Sequence, residues 1–435
     1  MPDELISTAP PDWLNEKKKI NEVAFCREFL QQHPVRCIGG TFFDLDGRIP
    51  EETIQRKIYE DIKDHVTTGV SKKVKNLLGV LKLECEAEPP PFQTDRIHVA
   101  NGTVFLDGSF SEEKEFCRNR LSVRYDPAAA EPVTWLRYLQ DLLRPDDILT
   151  LQEYFGYCFI PSTKAQKMLM IIGKGGEGKS RLGIVLRALL SGNMNTGSIA
   201  KIESSPFARA DLEHQLLLLD DDMKLEALSQ TNHLKAIITA ELPMDLERKG
   251  EQSYQGDLRV RFLGLGNGSL QSLYDRTQGF YRRQIIITTK DKPADRMDDP
   301  YLAEKMCAEA EGIFLWALDG LKRLVANDFR FTISDAAREN MEEAISDGNN
   351  IVEFLQSEGY ISFKADYEAR SSDLYEVYKL WCKENAEHPF SMKTFITYLK
   401  QNADVYGIEY TNKIHYQGSK VRGFWGIRIE RKTYF

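Results

Sequence analysis

A chain of 435 residues, 42% hydrophobic and 28% charged, has the apolar content of a soluble globular protein and room for about three domains. Its formal net charge of −9 excludes a uniformly basic nucleic-acid coat, though not a local basic groove, and no apolar run approaches the roughly 20 residues that cross a bilayer. Seven scattered cysteines without a Cys-x-x-Cys pair argue against a disulfide framework or zinc site, and the polar start argues against a secretory signal, so a cytoplasmic setting is expected.

Residues 1–90 read as mainly helical, with EETIQRKIYEDIKDHV over 51–66 carrying a helical pattern. Within them TFFDLDGRIP (41–50) is expected to be a hairpin turning at Asp46-Gly47. Asp44 and Asp46 also invite two catalytic readings, the metal-binding pair of a primase and the nucleophile motif of haloacid-dehalogenase phosphatases. Arg48 stands where the phosphatase motif has threonine, and no His-x-His follows to complete a primase site, so the chain is expected to lack its own primase. Three prolines at 89–91 can continue neither a helix nor a central strand and mark a boundary.

Residues 91–165 open with IHVANGTVFLDG, where Asn101-Gly102 and Asp107-Gly108 suit hairpin turns, and continue as helical pattern through WLRYLQDLL and LQEYFGYCF. Within an expected core over 166–345, residues 166–290 alternate the apolar strands KMLMIIG, QLLLLDDD, VRFLGLGN and RRQIIITT with helices, the signature of an α/β domain with a mostly parallel sheet. The polar stretches DKPADRMDDP (291–300) and SDGNN (346–350) are breaks. The last piece, 346–435, reads as three helices followed by a twisted strand pair.

IIGKGGEGKS (171–180) meets the G-x-x-x-x-G-K-[ST] spacing at Gly173, Gly178, Lys179 and Ser180, after an apolar strand and before a helical pattern. Glycines at 173, 175, 176 and 178 let backbone N–H groups turn inward around phosphates, and the helix opening at Ser180 offers its positive end to the same anion. Lys179 is expected to reach the β- and γ-phosphates of ATP and the Ser180 hydroxyl to hold Mg²⁺, with Glu177 and Arg181 in the same loop. The leucines of LLLLDDD make a strand buried on both faces, which carries Asp220, Asp221 and Asp222 to the ligand crevice. Asp220 is assigned to Mg²⁺ and Asp221 to activation of water. Asn267 is a candidate sensor of the γ-phosphate, and Arg283, or Arg282 beside it, a candidate arginine finger supplied by a neighbouring subunit.

These elements, all within 173–283, resemble the superfamily 3 helicases, most closely the primase-helicase proteins of poxviruses and satellite phages. The resemblance implies an AAA+-like P-loop ATPase core, a hexameric ring with ATP between subunits, and 3′ to 5′ movement on single-stranded DNA. MDLERKGEQSYQGDLRVRFLGLGN looks like the family's DNA-touching hairpin, with Lys249 where the pore lysine would lie and Arg248 beside it. Residues 91–165 are similar to the helicase-associated region. DLYEVYKLWCKENAEHPFSMKTFITYLKQN and the strand pair look like the winged-helix domain, in which Ser391 would cap a helix carrying Lys393, Thr394 and Lys400 toward DNA. Residues 411–435 hold six basic side chains (Lys413, Lys420, Arg422, Arg428, Arg431, Lys432) against Glu430 alone. The chain departs from the group at Glu177, where asparagine is common, in an acidic strand without glutamate, and in lacking a proline after Asn267. The implied function is an ATP-driven helicase acting on single-stranded and forked DNA in replication of a phage, plasmid or mobile element, with a separate primase or loading protein as a further partner. An ATP-regulated origin-binding initiator, and a remodelling ATPase without a nucleic-acid substrate, are the alternatives.

Overall fold

The computed structural model describes residues 11–16, 19–223, 231–250, 252–268, 278–292, 297–347, 350–385, 387, 389–416 and 418–430. Of the features named above, Arg431 and Lys432, residues 293–296 and residues 348–349 lie outside the described residues. The chain divides into two compact units. One comprises Met1–Lys224, Thr231–Asn267 and Arg283–Ala337, the other Leu225–Gln230, Gly268–Arg282 and Arg338–Phe435.

The first unit begins with α1 (Glu22–Gln32), the antiparallel strands β1 (Arg36–Ile38), β2 (Thr41–Asp44) and β3 (Gly47–Ile49), then α2 (Glu51–Ile62) and α3 (Val70–Glu84). The Asn21 side chain caps α1 by accepting the Ala24 N–H at 3.2 Å, and Ile54, Ile58 and Ile62 recur at four-residue spacing on the buried stripe of α2. With Trp13, Phe25, Phe29, Phe42 and Leu81 these isoleucines form a core of their own. The β2–β3 turn is Leu45-Asp46, one residue earlier than the sequence suggests, because Asp44 pairs with Gly47. Gly47 has φ of +117°, and the Asp44 carboxylate accepts the Asp46 N–H at 2.8 Å.

A second antiparallel sheet, β4 (Arg96–Val99), β5 (Gly102–Phe105) and β6 (Phe110–Ser111), turns at 100–101 and again around Asp107-Gly108. It leads to α4 (Val133–Leu142) and α5 (Pro145–Tyr157). The main sheet follows as β7 (Met168–Gly173), α6 (Ser180–Leu190), β8 (Met194–Thr196), α7 (Ala200–Ser204), α8 (Pro206–Ala210), β9 (Leu217–Met223) and α9 (Asn232–Ile238). The hairpin β10 (Met244–Leu246) and β11 (Tyr254–Gly256), then β12 (Arg261–Asn267), α10 (Gln278–Tyr281) and β13 (Gln284–Thr288) come next. The helices α11 (Leu302–Ala308) and α12 (Ala310–Ala326) close the unit; α10 belongs to the second.

The five strands of the main sheet are all parallel, in the order β13-β7-β12-β9-β8. β7 is buried along nearly its whole length, as a continuous apolar run in a covered parallel sheet should be. One core runs from Ile97 and Val99 through Trp135 and Tyr154 to Leu169, Leu263, Ile285 and Phe314, so residues 91–165 pack as part of the sheet's own core. Helices α5 and α12 approach closely at two glycines. A Cβ on Gly156 would lie 2.3 Å from the Ala317 carbonyl oxygen, and one on Gly320 would lie 2.4 Å from that of Gln152.

The second unit holds α10, most of α13 (Asp335–Asp347), α14 (Asn350–Gln356), β14 (Ile361–Arg370), α15 (Ser371–Glu384), α16 (Met392–Gln401), α17 (Ala403–Tyr406), β15 (Glu409–Tyr416) and β16 (Ser419–Ile429). Its antiparallel sheet has the order β14-β16-β15 and covers a core of Phe354, Tyr378, Trp381, Phe395, Leu399 and Phe424. β14 is an addition to the expected three helices and strand pair. Its residues 363–368 are all exposed, so it carries no alternation of apolar and polar side chains to announce it. Ser391 caps α16, its hydroxyl accepting the Thr394 N–H at 3.2 Å.

Candidate functional site

β7 and β12 lie side by side, yet the chain leaves them in opposite directions, from β7 to the far edge at β8 and from β12 to the other edge at β13. Such a reversal opens a crevice beyond the carboxyl ends of the two strands, where ligands of parallel sheets bind. Gly173 and Asn267 are register partners there. The turn after Gly173 has φ of +107°, +84° and +101° at Gly175, Gly176 and Gly178, a left-handed path that only glycine follows without strain.

That path turns the N–H groups of Lys174 and Gly175 inward, and both donate to one oxygen of Glu177, at 2.5 and 2.8 Å. The other carboxylate oxygen accepts the Lys179 ammonium at 2.8 Å, and Lys179 also donates to Asn267 Oδ1 at 2.9 Å. Glu177 and Lys179 are only 4% and 7% exposed. Burial alone would push the Glu177 carboxyl up, but Lys179 and the loop N–H groups hold it below its ordinary value. The turn is thus a built anion cradle that holds the chain's own carboxylate.

Two residues that sequence reasoning missed complete the cradle. Thr289, just past β13, donates its N–H to the Ile172 carbonyl at 2.9 Å, and a Cβ on Gly173 would lie 2.5 Å from its hydroxyl and 2.7 Å from Lys179 Nζ. The Tyr138 hydroxyl on α4 donates to the Gly178 carbonyl at 2.9 Å. The threonine had a signal, since it follows a parallel strand's carboxyl end; the tyrosine, 40 residues away, had none. Ser180 is the exposed first residue of α6, and Arg181 reaches the Asp299 carbonyl at 3.4 Å.

The aspartate run divides. Asp220 is 7% exposed, and its carboxylate accepts the Ile199 N–H at 2.7 Å. It is register partner of Gly264, which pairs with Met170, so it lies three strand positions before the Gly173 level. Burial pushes its carboxyl up against that hydrogen bond. Asp221 and Asp222 are exposed where the β9–β12 register shifts by one residue, a bulge of the kind that re-aims side chains. Among the described residues no group of three or more His, Cys, Asp and Glu is arranged to hold a metal. Mg²⁺ needs no such cage, because it keeps waters and is held by one or two carboxylates plus substrate phosphates.

Arg283 is at the other end of the sheet, its carbonyl accepting the Met168 N–H at 2.8 Å. Five strand steps separate Met168 from Gly173, about 16 Å. Arg282 belongs to the second unit and is exposed. Lys249 is exposed at the tip of the β10–β11 hairpin beside Gly250, whose φ is +83°. Arg248, by contrast, is tied inward. It donates to Glu213 Oε2 and to the Gly39 carbonyl, each at 2.5 Å, and stands 5.1 Å over the Tyr254 ring. In the second unit Lys393 and Lys400 are exposed on α16, with Lys400 Nζ 3.5 Å from the Tyr410 ring centroid. No helix among the described residues is long and apolar enough to cross a membrane.

A family model, DUF5906, a family of unknown function, matches residues 171–283, the window from the glycine turn to Arg283. No curated protein matches. Among solved structures, the A form apo structure of the NrS-1 C-terminal region aligns over 92% of this chain and 99% of that one, at 12% identity and a TM-score of 0.53. An apo structure of the same region (305–718) aligns over 94% and 100%, at 12% identity and a TM-score of 0.48. At this identity the first of these likenesses is one of fold.

Proposed function

We propose that the chain is a P-loop ATPase that couples ATP hydrolysis to movement on DNA, as a ring-forming helicase in the replication of a phage, plasmid or mobile element. The observation that carries this reading is the meeting of Lys179 and Asn267, at 2.9 Å, in the crevice between β7 and β12. A buried ammonium beside a strand-end amide fits the β- and γ-phosphates and the water that attacks them. The inward N–H groups of Lys174 and Gly175 and the missing Cβ of Gly173 fit the phosphates of the same ligand. Ser180 and one carboxylate of the aspartate run would hold Mg²⁺, which when bound neutralises charge on the phosphates.

In this reading Lys179 exchanges its two side-chain partners for phosphate oxygens, and Asn267 Oδ1, freed of the ammonium, accepts a hydrogen from the attacking water. Asp221, exposed at the bulge, is better disposed to take the proton than Asp220, which is engaged with Ile199. Arg283 is too far along the sheet to reach its own subunit's cradle, which favours a head-to-tail ring in which it serves the neighbour. The exposed Lys249 on a hairpin anchored through Arg248 is suited to gripping phosphates of a single strand, and the exposed face of α16 to duplex contact.

The test is strand displacement on forked DNA with matched ATPase assays. The parent protein should unwind and should hydrolyse ATP faster with single-stranded DNA. Lys179→Ala should abolish both activities, and Lys249→Ala should keep ATP binding while losing DNA stimulation and unwinding. DNA-stimulated hydrolysis without unwinding would favour an initiator instead, and hydrolysis indifferent to DNA would remove nucleic acid from the reading.

A further inference from the structure

Glu177 fills the cradle so completely that its carboxylate engages the N–H groups of Lys174 and Gly175 and the ammonium of Lys179. These are the donors a phosphate would need. Two carboxylate oxygens present nearly the acceptor pattern of two phosphate oxygens, and both anions are held by charge-assisted hydrogen bonds. The carboxyl carbon also lies over Gly173, where an added Cβ would come within 2.9 Å of it. An anion cannot enter while the side chain is there.

The backbone around Glu177 is built to let it leave. Gly176 and Gly178, with φ of +84° and +101°, flank it on both sides, and nothing lies within 4 Å of the position a Cβ would take on Gly176. Gly176, in open space, can change φ and ψ with little steric cost, whereas Gly178 is held through its carbonyl by Tyr138, and the strand below and α6 above are packed and stay in place. The gate is therefore local.

Resting on the phosphate-site reading above, we propose that Glu177 is an intramolecular phosphate mimic that keeps the nucleotide-free cradle shut, so that a triphosphate binds only after Glu177 swings out. An equilibrium between shut and open cradles lowers apparent affinity by the open fraction. It also imposes an opening step before capture, and any neighbour or DNA contact that draws Glu177 outward would raise nucleotide affinity without touching the nucleotide. Lys179 cannot serve both anions at once.

The experiment uses the full chain and a fluorescent ATP analogue with Mg²⁺, by equilibrium titration and stopped flow, on the parent, Glu177→Ala, Glu177→Gln and Lys179→Ala. The expected result is affinity about tenfold tighter in Glu177→Ala, with a smaller gain in Glu177→Gln, whose amide oxygen keeps the N–H contacts while its NH2 group can no longer accept from Lys179. The observed association rate should level off with nucleotide concentration in the parent and rise linearly in Glu177→Ala. Parent binding that is lost in Lys179→Ala, combined with unchanged or weaker binding in both Glu177 variants, would overturn the gate and leave the phosphate site standing. Equal binding by the parent and Lys179→Ala would overturn the phosphate site and the gate with it.

Discussion

Strand β12 starts at Arg261 and ends at Asn267, and a buried cation stands at each end. At the amino edge, Arg261 is 2% exposed and donates to the carbonyls of Ser162, Arg259 and Ile160, with its guanidinium 4.9 Å over the Tyr157 ring. At the carboxyl edge Lys179, 7% exposed, is held by the Glu177 carboxylate and the Asn267 amide. Main-chain carbonyls move only if the fold moves. Side-chain partners can be exchanged for a ligand. A buried charge is informative through the kind of partner it keeps, and on this ground one end of the strand has the character of scaffold and the other that of a candidate site.

The sharpest way to break that contrast is Arg261→Ala. It takes the guanidinium from the carbonyls of Ser162, Arg259 and Ile160, of which Ile160 keeps the Ser162 N–H, and leaves a cavity against Tyr157, a cost of roughly 3–5 kcal/mol. Urea denaturation followed by tryptophan fluorescence should show the first unit unfolding at clearly lower denaturant. A midpoint equal to the parent's would mean that the amino edge is no scaffold.

Lys179→Ala should cost less stability, about 2 kcal/mol, because Glu177, though it loses its cation, keeps its two N–H donors. Binding of the ATP analogue should nevertheless vanish. A loss of stability as large as that of Arg261→Ala would show the lysine to be as structural as the arginine.

How much of this was legible beforehand follows from the same distinction. The glycine turn, the strand before it and the helix after it are local, so the spacing from Gly173 to Ser180 was enough to read them. The apolar strands of the main sheet announced themselves as continuous runs. The partners that give each charge its job were not readable, because they come from far along the chain. Arg248, expected at the DNA beside Lys249, is engaged with Glu213 and Gly39, and Glu177 turns its carboxylate into its own loop. Thr289 and Tyr138 reach the cradle only through tertiary packing. β14 escaped notice because its exposed residues lack a periodic apolar signal, and the shared core of residues 91–165 with the sheet is a fact of packing.

A smaller test carries the contrast into the second unit. Ser391 holds a main-chain N–H at the start of α16, so Ser391→Ala should cost about 1 kcal/mol, the usual worth of an N-cap. Lys393 on the same helix is exposed, and Lys393→Ala should leave the melting of that unit unchanged while weakening binding to duplex DNA. Circular dichroism melts beside a salt-dependent binding titration separate the two.

The smallest expected effect belongs to Lys249, and its neighbour supplies the control. Arg248→Ala removes a partner of Glu213 and the cation over Tyr254, while the Tyr254 hydroxyl still donates to Glu213 at 2.7 Å. That change should loosen the hairpin base measurably, by about 1–2 kcal/mol. Lys249→Ala removes an exposed ammonium at the tip, and its effect on unfolding should stay within about 0.5 kcal/mol. Any loss of DNA-stimulated turnover in that variant then has to be charged to the missing contact with the polynucleotide, since the hairpin that presents it is intact. A destabilisation of Lys249→Ala matching that of Arg248→Ala would place the lysine among the anchors and leave the hairpin without a free hand for DNA.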